Sequence, residues 1–260
     1  MTFPENLKDK AFIVTGGASG LGEQVARTLH KNGAHVIIFD INVMRGNAVS
    51  GELGDRVSFY KVDVRCERTV QEMVEAACTA CTVSLAGAIL CSGVVLPPGN
   101  AVGYGPDRVL TSIAQFKAVV DINLIGTYNV AQHVAARLIE NKPYNDDGER
   151  GVIITTSSLL GLDGVLTAYA TSKAGVAGLT LPLARELSPF GVRVVSVAPG
   201  PFDTPLVQTD GLAQSAPSCL FPKRYGKPDE FASLVLHVLE NPMLNGSVLR
   251  LDGGLRAIYQ

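Results

Sequence analysis

The sequence has no long hydrophobic run and little excess of charge. Its 260 residues carry a formal net charge of −2, and 18% of them are charged. A chain so close to neutral gives no electrostatic reason to expect binding to nucleic acid or to an anionic membrane. The longest mostly apolar run, residues 85–96, is too short to span a bilayer. We therefore expect neither a membrane nor a nucleic acid as a partner.

Cysteine is scarce, and its number is odd. The five residues are Cys66, Cys78, Cys81, Cys91 and Cys219, and the first ten residues show no apolar signal core and no Arg/Ser-rich transit peptide. This combination favours a reducing compartment. Cys78-x-x-Cys81 could be a redox pair or half of a zinc site, but no second C-x-x-C and no histidine pair accompanies it. We expect buried structural thiols, no bound metal and no obligatory disulfide.

Apolar residues, in contrast, make up 47% of the chain, and their period switches repeatedly between strand-like and helix-like spacing. This predicts an α/β fold with a single doubly wound parallel sheet of the Rossmann type, about seven strands, and helices on both faces. The expected strands are 10–15, 35–40, 57–62, 86–91, 151–156, 192–198 and 248–251. Ligands of such sheets bind beyond the carboxyl ends of the strands.

Helices and two irregular segments fill the intervals between the strands. The expected helices are 20–32, 42–53, 66–82, 112–141, 169–187 and 229–239. Pro182 lies inside the fifth and should kink it or mark an irregular turn. Residues 94–111 and 201–222 are rich in proline or glycine, and the second is expected to form a small substrate lobe. We expect residues 1–260 to form one catalytic domain.

The stretch Thr15-Gly16-Gly17-Ala18-Ser19-Gly20-Leu21-Gly22 follows the first strand and opens the first helix. The N–H groups of such a loop and of the helix N-terminus form a site for a pyrophosphate. Asp40 ends the next strand, 18 residues after Gly22, where an acidic residue would hold a ribose 2′-hydroxyl. A purely structural glycine turn is the alternative, but this context favours dinucleotide binding.

Tyr169 and Lys173 are four residues apart and therefore share one face of a helix. At about 5 Å and an effective dielectric near 20, a lysine ammonium would favour the phenolate by roughly 3 kcal/mol, or about 2 pKa units. Ser158, after the fifth strand, could hydrogen-bond the same substrate oxygen, and Ser157 is the alternative. The pair alone would suggest a surface contact, but beside a dinucleotide loop it favours a catalytic site.

The motifs T-G-x-x-x-G-x-G and Y-x-x-x-K are those of the short-chain dehydrogenase/reductase family, which the chain resembles from its first strand to its C-terminus. The resemblance implies a catalytic tetrad, in which Asn123 holds a water that links Lys173 to a proton relay. The tetrad is Asn123, Ser158, Tyr169 and Lys173. The residues that the resemblance implies for contact with NAD are Gly16, Ser19, Gly20, Leu21, Gly22, Asp40, Asp63, Val64, Cys91, Gly93, Tyr169, Lys173, Pro199, Gly200, Phe202 and Thr204. Among them, Asp63-Val64 would contact adenine, and Pro199, Gly200 and Thr204 would orient the nicotinamide carboxamide.

Within that family, the C-terminal half resembles the type-2 3-hydroxyacyl-CoA dehydrogenases, a subfamily that also oxidises hydroxysteroids. The matching stretches are 150–154, 180–185, 198–206, and 240–246 leading to 250–253. This resemblance implies NAD as the cofactor, an acyl-CoA or steroid-like substrate, a homotetramer and a mitochondrial location. A 3-oxoacyl carrier-protein reductase and a non-catalytic dinucleotide-binding scaffold are the alternatives. The first usually favours NADPH, and the second typically lacks the tyrosine or the lysine.

Two departures from the family pattern concern the site. The family's N-x-A-G after the fourth strand reads Leu90-Cys91-Ser92-Gly93, so a sheet-bracing hydrogen bond from asparagine is expected to be missing. Ser158 and Tyr169 are 11 residues apart, which is shorter than the usual family spacing.

For the substrate, residues 201–222 offer an apolar lining. Its residues are Phe202, Leu206, Val207, Leu212, Leu220 and Phe221. Three cations could contact a coenzyme A phosphate at the rim: Arg108, Lys223 and Arg224. The alternative for each is an ordinary solvated surface charge.

Overall fold

The computed structural model describes residues 7–95, 111–209 and 219–257. Seven strands form one parallel sheet in the order β3-β2-β1-β4-β5-β6-β7. They are β1 Lys10–Thr15, β2 His35–Asp40, β3 Val57–Lys61, β4 Ser84–Leu90, β5 Gly151–Thr156, β6 Val192–Pro199 and β7 Val248–Leu251. The order reverses between β1 and β4, and ligands of such sheets bind beyond the carboxyl ends of the strands at this reversal. The predicted doubly wound α/β fold is confirmed.

Helices cover both faces of the sheet because successive residues of its buried strands point to opposite sides and are apolar on both. In β1, Phe12 and Val14 pack into one core layer, whereas Ala11 and Ile13 pack into the other. The helices are α1 Gly20–Lys31, α2 Val43–Leu53, α3 Glu67–Ala80, α4 Ile113–Val120, α5 Gly126–Leu138, α6 Leu159–Asp163, α7 Thr167–Leu187, α8 Pro205–Thr209 and α9 Pro228–Glu240. None of the helices in the described ranges combines the length and hydropathy that a membrane span requires.

The single helix expected over 112–141 is instead α4, a π-helical turn at Asp121–Ile125, and α5. Ser112 and Gln115 form a reciprocal cap at the start of α4. A π turn holds an extra residue, so it rotates the following side chains relative to the preceding ones, and such turns are frequent at functional sites. The π turn at Asp121–Ile125 contains Asn123. Apolar spacing in the sequence does not reveal the extra residue of such a turn.

Other expectations need correction. Residues between Ser158 and Tyr169 include the short helix α6, where the sequence predicts no helix. Of the two outcomes expected at Pro182, a kink or an irregular turn, the second is ruled out, because α7 is continuous from Thr167 to Leu187. Cys78 and Cys81 are half-buried at the end of α3 rather than buried, and all five cysteines are free thiols. Most of segment 94–111, including Arg108, lies outside the described residues, as do Leu212 and the rest of 210–218.

Candidate active site

The glycine loop turns sharply between β1 and α1. Gly16 has a φ of +66°, and its N–H donates to the main-chain oxygen of Phe39, 2.9 Å away in β2. A Cβ at Gly22 would collide with the main-chain oxygen of Gly16, so α1 begins too close to the loop for any larger residue. The Ser19 hydroxyl does not cap α1. Helix α1 begins at Gly20, and its first N–H groups, those of Gly20 and Leu21, can therefore bind a phosphate.

Asp40 lies directly against this loop. Its Oδ2 accepts a hydrogen bond from the Ala18 N–H at 3.0 Å, and its Oδ1 accepts one from the Asn42 N–H at 2.9 Å. The residue is 9% exposed. The carboxylate is thus fixed beside the loop, where it can also accept hydrogen bonds from the ribose hydroxyls of a dinucleotide.

Asp63 and Val64 follow β3, on the adenine side of the expected site. Arg65 donates to the Asp63 carboxylate from Nη2 at 2.6 Å, and its side chain is the main cause that lowers the pKa of Asp63. The Val64 carbonyl accepts a hydrogen bond from Asn129 Nδ2 at 2.7 Å. Asn129 is buried in α5 and fixes this dipeptide. The sequence does not indicate this role for Asn129, because a lone asparagine in a helix has no characteristic spacing.

Lys173 is buried at the centre of the carboxyl edge. Its side chain reaches β5, where Nζ donates to the main-chain oxygen of Thr156 at 2.8 Å. The same Nζ lies 5.9 Å from the centre of the Tyr169 ring, which is also buried. Burial lowers the pKa of Lys173 to about 8. The two residues that the spacing placed on one helical face are therefore together in the interior, not at the surface.

Asn123 and Gly93 face this lysine from the other side. Asn123 is fully buried, and its amide exchanges two hydrogen bonds with the Val94 main chain, each 2.8 Å long, and donates a third to Ser172 Oγ at 3.0 Å. A Cβ at Gly93 would lie 3.2 Å from both Asn123 Oδ1 and Lys173 Nζ. Asn123, Gly93 and Lys173 thus converge on one point, and the side chain of Asn123 is occupied in holding the segment after β4.

The two candidate serines have different partners. Ser157 Oγ donates to the main-chain oxygen of Lys173 at 2.8 Å, so its hydroxyl braces α7 against β5. Ser158 precedes α6, and its Oγ accepts a hydrogen bond from the Leu160 N–H at 3.2 Å. That bond uses a lone pair and leaves the hydroxyl hydrogen for a substrate oxygen. Ser158 is therefore the better candidate of the two.

Leu90 stands at the end of β4, at the position of the asparagine in the N-x-A-G motif, and Cys91 follows it. The Leu90 side chain packs into the hydrophobic core, and the Thr15 hydroxyl instead accepts a hydrogen bond from the Ser92 N–H at 3.2 Å. Cys91 Sγ accepts from Thr156 Oγ1 at 3.4 Å, and burial raises the pKa of its thiol to about 11. The tie between β1 and the segment after β4 is therefore made by Thr15.

The segment after β6 closes the edge of the crevice. The Gly200 N–H donates to the Leu251 oxygen at 2.9 Å, and Thr204 borders the space beside Gly20 of the glycine loop. Phe202, however, is 5% exposed and packs edge-on against Phe231 in the core. Its ring therefore cannot line the substrate site as expected, and only its main chain is available to a cofactor.

Two further expectations concern the cations near the site and a bound metal. Arg224 donates to Glu230 from both terminal nitrogens, at 2.9 and 2.6 Å, which makes it a partly neutralised charge rather than an open phosphate ligand. Lys223 is exposed. In the part of the chain that the structure describes, no three His, Cys, Asp or Glu side chains are grouped so as to hold a metal ion.

The family follows from a comparison with known proteins. The sequence profile described as short chain dehydrogenase matches residues 10–214. The chain belongs to the short-chain dehydrogenase family. It is accordingly an oxidoreductase that binds a nicotinamide dinucleotide.

Similar short-chain dehydrogenases cover nearly the whole chain. The 3-hydroxyacyl-CoA dehydrogenase type-2 of Drosophila melanogaster is 41% identical over 96% of this chain and 98% of that protein. The protein of the same name from Homo sapiens is 38% identical, over 96% and 97%. A crystal structure of 3-hydroxyacyl-CoA dehydrogenase type-2 from Mycobacterium avium superposes with a TM-score of 0.85, at 38% identity over 98% of each chain. The 3-ketoacyl-(acyl-carrier-protein) reductase of Brucella melitensis, complexed with NADH, has a TM-score of 0.81 and 29% identity, over 97% of this chain and 100% of that one.

Proposed function

We propose that the protein is an NAD-dependent dehydrogenase that interconverts a short-chain 3-hydroxyacyl-CoA and the corresponding 3-oxoacyl-CoA. The observation that carries the reaction type is the burial of the Lys173 ammonium beside Tyr169, within the dinucleotide crevice. In a poorly solvated site an ammonium favours the phenolate of a neighbouring tyrosine, which makes Tyr169 a general acid and base near neutral pH.

Each residue of the site has its own role in ketone reduction. The cofactor, when bound, supplies the hydride that the carbonyl carbon receives. Tyr169 donates its hydroxyl proton to the carbonyl oxygen, while Ser158 stabilises the charge on that oxygen by a hydrogen bond. Lys173 stabilises the phenolate that Tyr169 becomes. In alcohol oxidation, the Tyr169 phenolate accepts the proton of the substrate hydroxyl. Asn123 keeps the segment after β4 in place in both directions of the reaction.

The preference for NAD rests on Asp40. Its carboxylate is held against the glycine loop by the Ala18 and Asn42 N–H groups. In that position it can accept hydrogen bonds from ribose hydroxyls, but it would repel a 2′-phosphate. The residues around the loop therefore suit NAD better than NADP.

The thioester substrate is supported by the relatives and by two exposed apolar side chains near the end of segment 201–222. The most similar relatives named above are 3-hydroxyacyl-CoA dehydrogenases type-2 at 38–41% identity. Leu220 and Phe221 are exposed at the edge of segment 201–222, where an acyl chain or a steroid could pack. Since Arg224 is paired with Glu230, Lys223 is the better candidate for contact with a coenzyme A phosphate at the rim.

Exposed apolar side chains bear on the assembly of the protein. Ile113, Ile125 and Tyr128, along the α4–α5 helix pair, and Leu181 on α7 are exposed apolar side chains. Their exposure suits a subunit interface, and we propose a homotetramer. A mitochondrial location rests on the resemblance to the subfamily alone.

Initial rates would test the proposed substrate and cofactor together. Purified protein is assayed with NADH and with NADPH against acetoacetyl-CoA, free acetoacetate, an acetoacetyl carrier-protein substrate and a 17-ketosteroid. We expect NADH to be preferred, and acetoacetyl-CoA to have a much lower KM than acetoacetate. Equal use of the free acid contradicts the thioester proposal, and a preference for the carrier-protein substrate with NADPH identifies a 3-oxoacyl carrier-protein reductase. Dinucleotide binding without turnover of any ketone identifies a scaffold.

A further inference from the structure

A cluster of charged side chains joins three chain segments around the carboxyl end of β7. Arg250, in β7, donates from Nη1 and Nη2 to the two carboxylate oxygens of Asp163, at 2.8 and 3.1 Å. Its Nε donates to Asp252 Oδ2 at 2.6 Å. The carboxylate side chains are only 10% and 6% exposed, respectively. Such planar, two-point contacts from arginine are directional and hold their partners in one geometry.

The same cluster holds the segment that follows β7. The Ala257 N–H donates to Asp163 Oδ2 at 2.8 Å, and Arg250 Nη2 also donates to the Leu255 oxygen at 3.0 Å. All three nitrogens of the Arg250 guanidinium therefore have acceptors in this cluster. Asp163 in turn connects residues that are almost 90 positions apart in the sequence.

Asp163 is the last residue of α6, and Ser158 is the residue that precedes this helix. In the middle of α6, a Cβ at Gly161 would lie 2.9 Å from Lys173 Cβ and 2.7 Å from the Ala174 nitrogen. The helix therefore packs directly on the main chain of α7 at the lysine. Because α6 is only one to two turns long, a shift at Asp163 moves Ser158 as well.

The connection from α6 to Tyr169 is short and contains two left-handed residues. Gly164 has a φ of +76°, and Leu166, which has a β-carbon, has a φ of +68°. Non-glycine residues rarely adopt this conformation unless the surrounding structure imposes it, and such strain is concentrated at functional sites. The cluster at Asp163 is the polar anchor immediately before this strained connection.

We propose that Arg250 and Asp163 are positioning residues for the reaction: their ion pair holds α6 so that the Ser158 hydroxyl and the Tyr169 hydroxyl meet the same substrate oxygen. Neither residue touches the reacting atoms. The proposal rests on the proposed function only in requiring a carbonyl substrate, and any ketone that the wild-type protein reduces serves for its test.

A matched pair of substitutions separates positioning from stability. Asp163→Asn changes a buried carboxylate of an arginine pair to an amide. Glu149→Gln makes the same change in the Glu149–Arg193 pair, which is 2.7 Å long and lies at the opposite, amino end of the sheet; its carboxylate side chain is 8% exposed, close to the 10% of Asp163. We expect both variants to lose thermal stability, but only Asp163→Asn to lose turnover, by about fivefold or more. The affinity for NADH, measured by fluorescence titration, should change by less than about twofold in both. Equal turnover of Asp163→Asn and wild type at a temperature where both are folded overturns the proposal.

A double-mutant cycle tests whether the effect passes through Ser158. We expect Arg250→Gln to lower kcat by about tenfold in the wild-type background and by less than about threefold in Ser158→Ala, because a misplaced hydroxyl and an absent one are nearly equivalent. Arg250→Lys should restore part of the loss, since an ammonium can bind one of the two carboxylates. The pH profile of kcat/KM should keep its midpoint. Additive losses show that the effect does not pass through Ser158, and a shifted midpoint shows that the cluster acts on Tyr169 electrostatically; either result rejects positioning. If the wild type reduces another ketone but not acetoacetyl-CoA, the proposed substrate fails while this cycle, run with that ketone, still decides the inference.

Discussion

Lys173 Nζ donates a hydrogen bond to the main-chain oxygen of Thr156 at 2.8 Å while it lies 5.9 Å from the centre of the Tyr169 ring. The bond ties α7 to the end of β5. It also holds a cation in a buried position, where its pKa falls to about 8. A fold gains no stability from burying an ammonium in this way, so the arrangement points to the chemistry at Tyr169.

Replacement of Tyr169 by phenylalanine tests its role as the proton donor. Because general acids and bases contribute about 10²- to 10⁴-fold, we expect kcat of Tyr169→Phe to fall by at least about 100-fold, with little change in NADH affinity. Tyr128→Phe, which removes the hydroxyl of an exposed tyrosine on α5, serves as the control and should retain full turnover. Normal turnover in folded Tyr169→Phe protein would reject the assignment.

Removal of the Asp40 carboxylate tests the choice between NAD and NADP. We expect the wild type to prefer NADH by about tenfold or more in kcat/KM, because the carboxylate binds ribose hydroxyls and repels a phosphate. In Asp40→Ala this preference should shrink, mainly through a lower KM for NADPH and a higher one for NADH. Steady-state kinetics with both cofactors measure the change. A wild-type protein that uses NADPH as well as NADH contradicts the proposed preference.

A methyl group at Gly93 tests how tightly the space around Lys173 is closed. In Gly93→Ala the new Cβ would lie 3.2 Å from Lys173 Nζ and from Asn123 Oδ1, so one of them must move. A displacement of this kind should lower kcat by about tenfold or more. Gly178→Ala is the control, because a Cβ there meets nothing within 4 Å in the same helix as Lys173. It should leave turnover unchanged and slightly raise stability, and equal behaviour of the two variants would contradict the packing argument.

The lowered pKa of Lys173 also predicts a pH dependence of stability. The folded protein releases this proton at a pH of about 8, whereas the unfolded chain keeps it to about 10.4. Between these values the unfolded state binds more protons, so the free energy of unfolding rises with pH. Relative to Lys173→Met, which cannot titrate, the wild type should gain roughly 2 kcal/mol between pH 8 and pH 10. Denaturant titrations at several pH values measure this difference, and a constant difference would show that Lys173 has an ordinary pKa.

The sequence by itself determined the sheet and the general position of the site. Apolar runs of four to eight residues gave the strands, because buried parallel strands must be apolar on both faces. The glycine loop, Asp40, Ser158 and Tyr169 then followed strand ends or opened helices, and parallel strands bring their carboxyl ends to one edge. These inferences needed only local spacing and one rule of topology, which is why they agree with the structure.

The tertiary structure alone decided which side chains pair across that edge. Ser157 and Ser158 are neighbours in the sequence, yet one is committed to the Lys173 main chain and the other heads α6. In the sequence, Arg224 suggests a free cation, but in the structure it is paired with Glu230. Phe202 likewise suggests a residue that lines the site, but its side chain is buried in the core. Each outcome depends on contacts between distant segments or on the direction in which a side chain leaves a loop. Local periodicity contains neither, so packing and burial had to settle them.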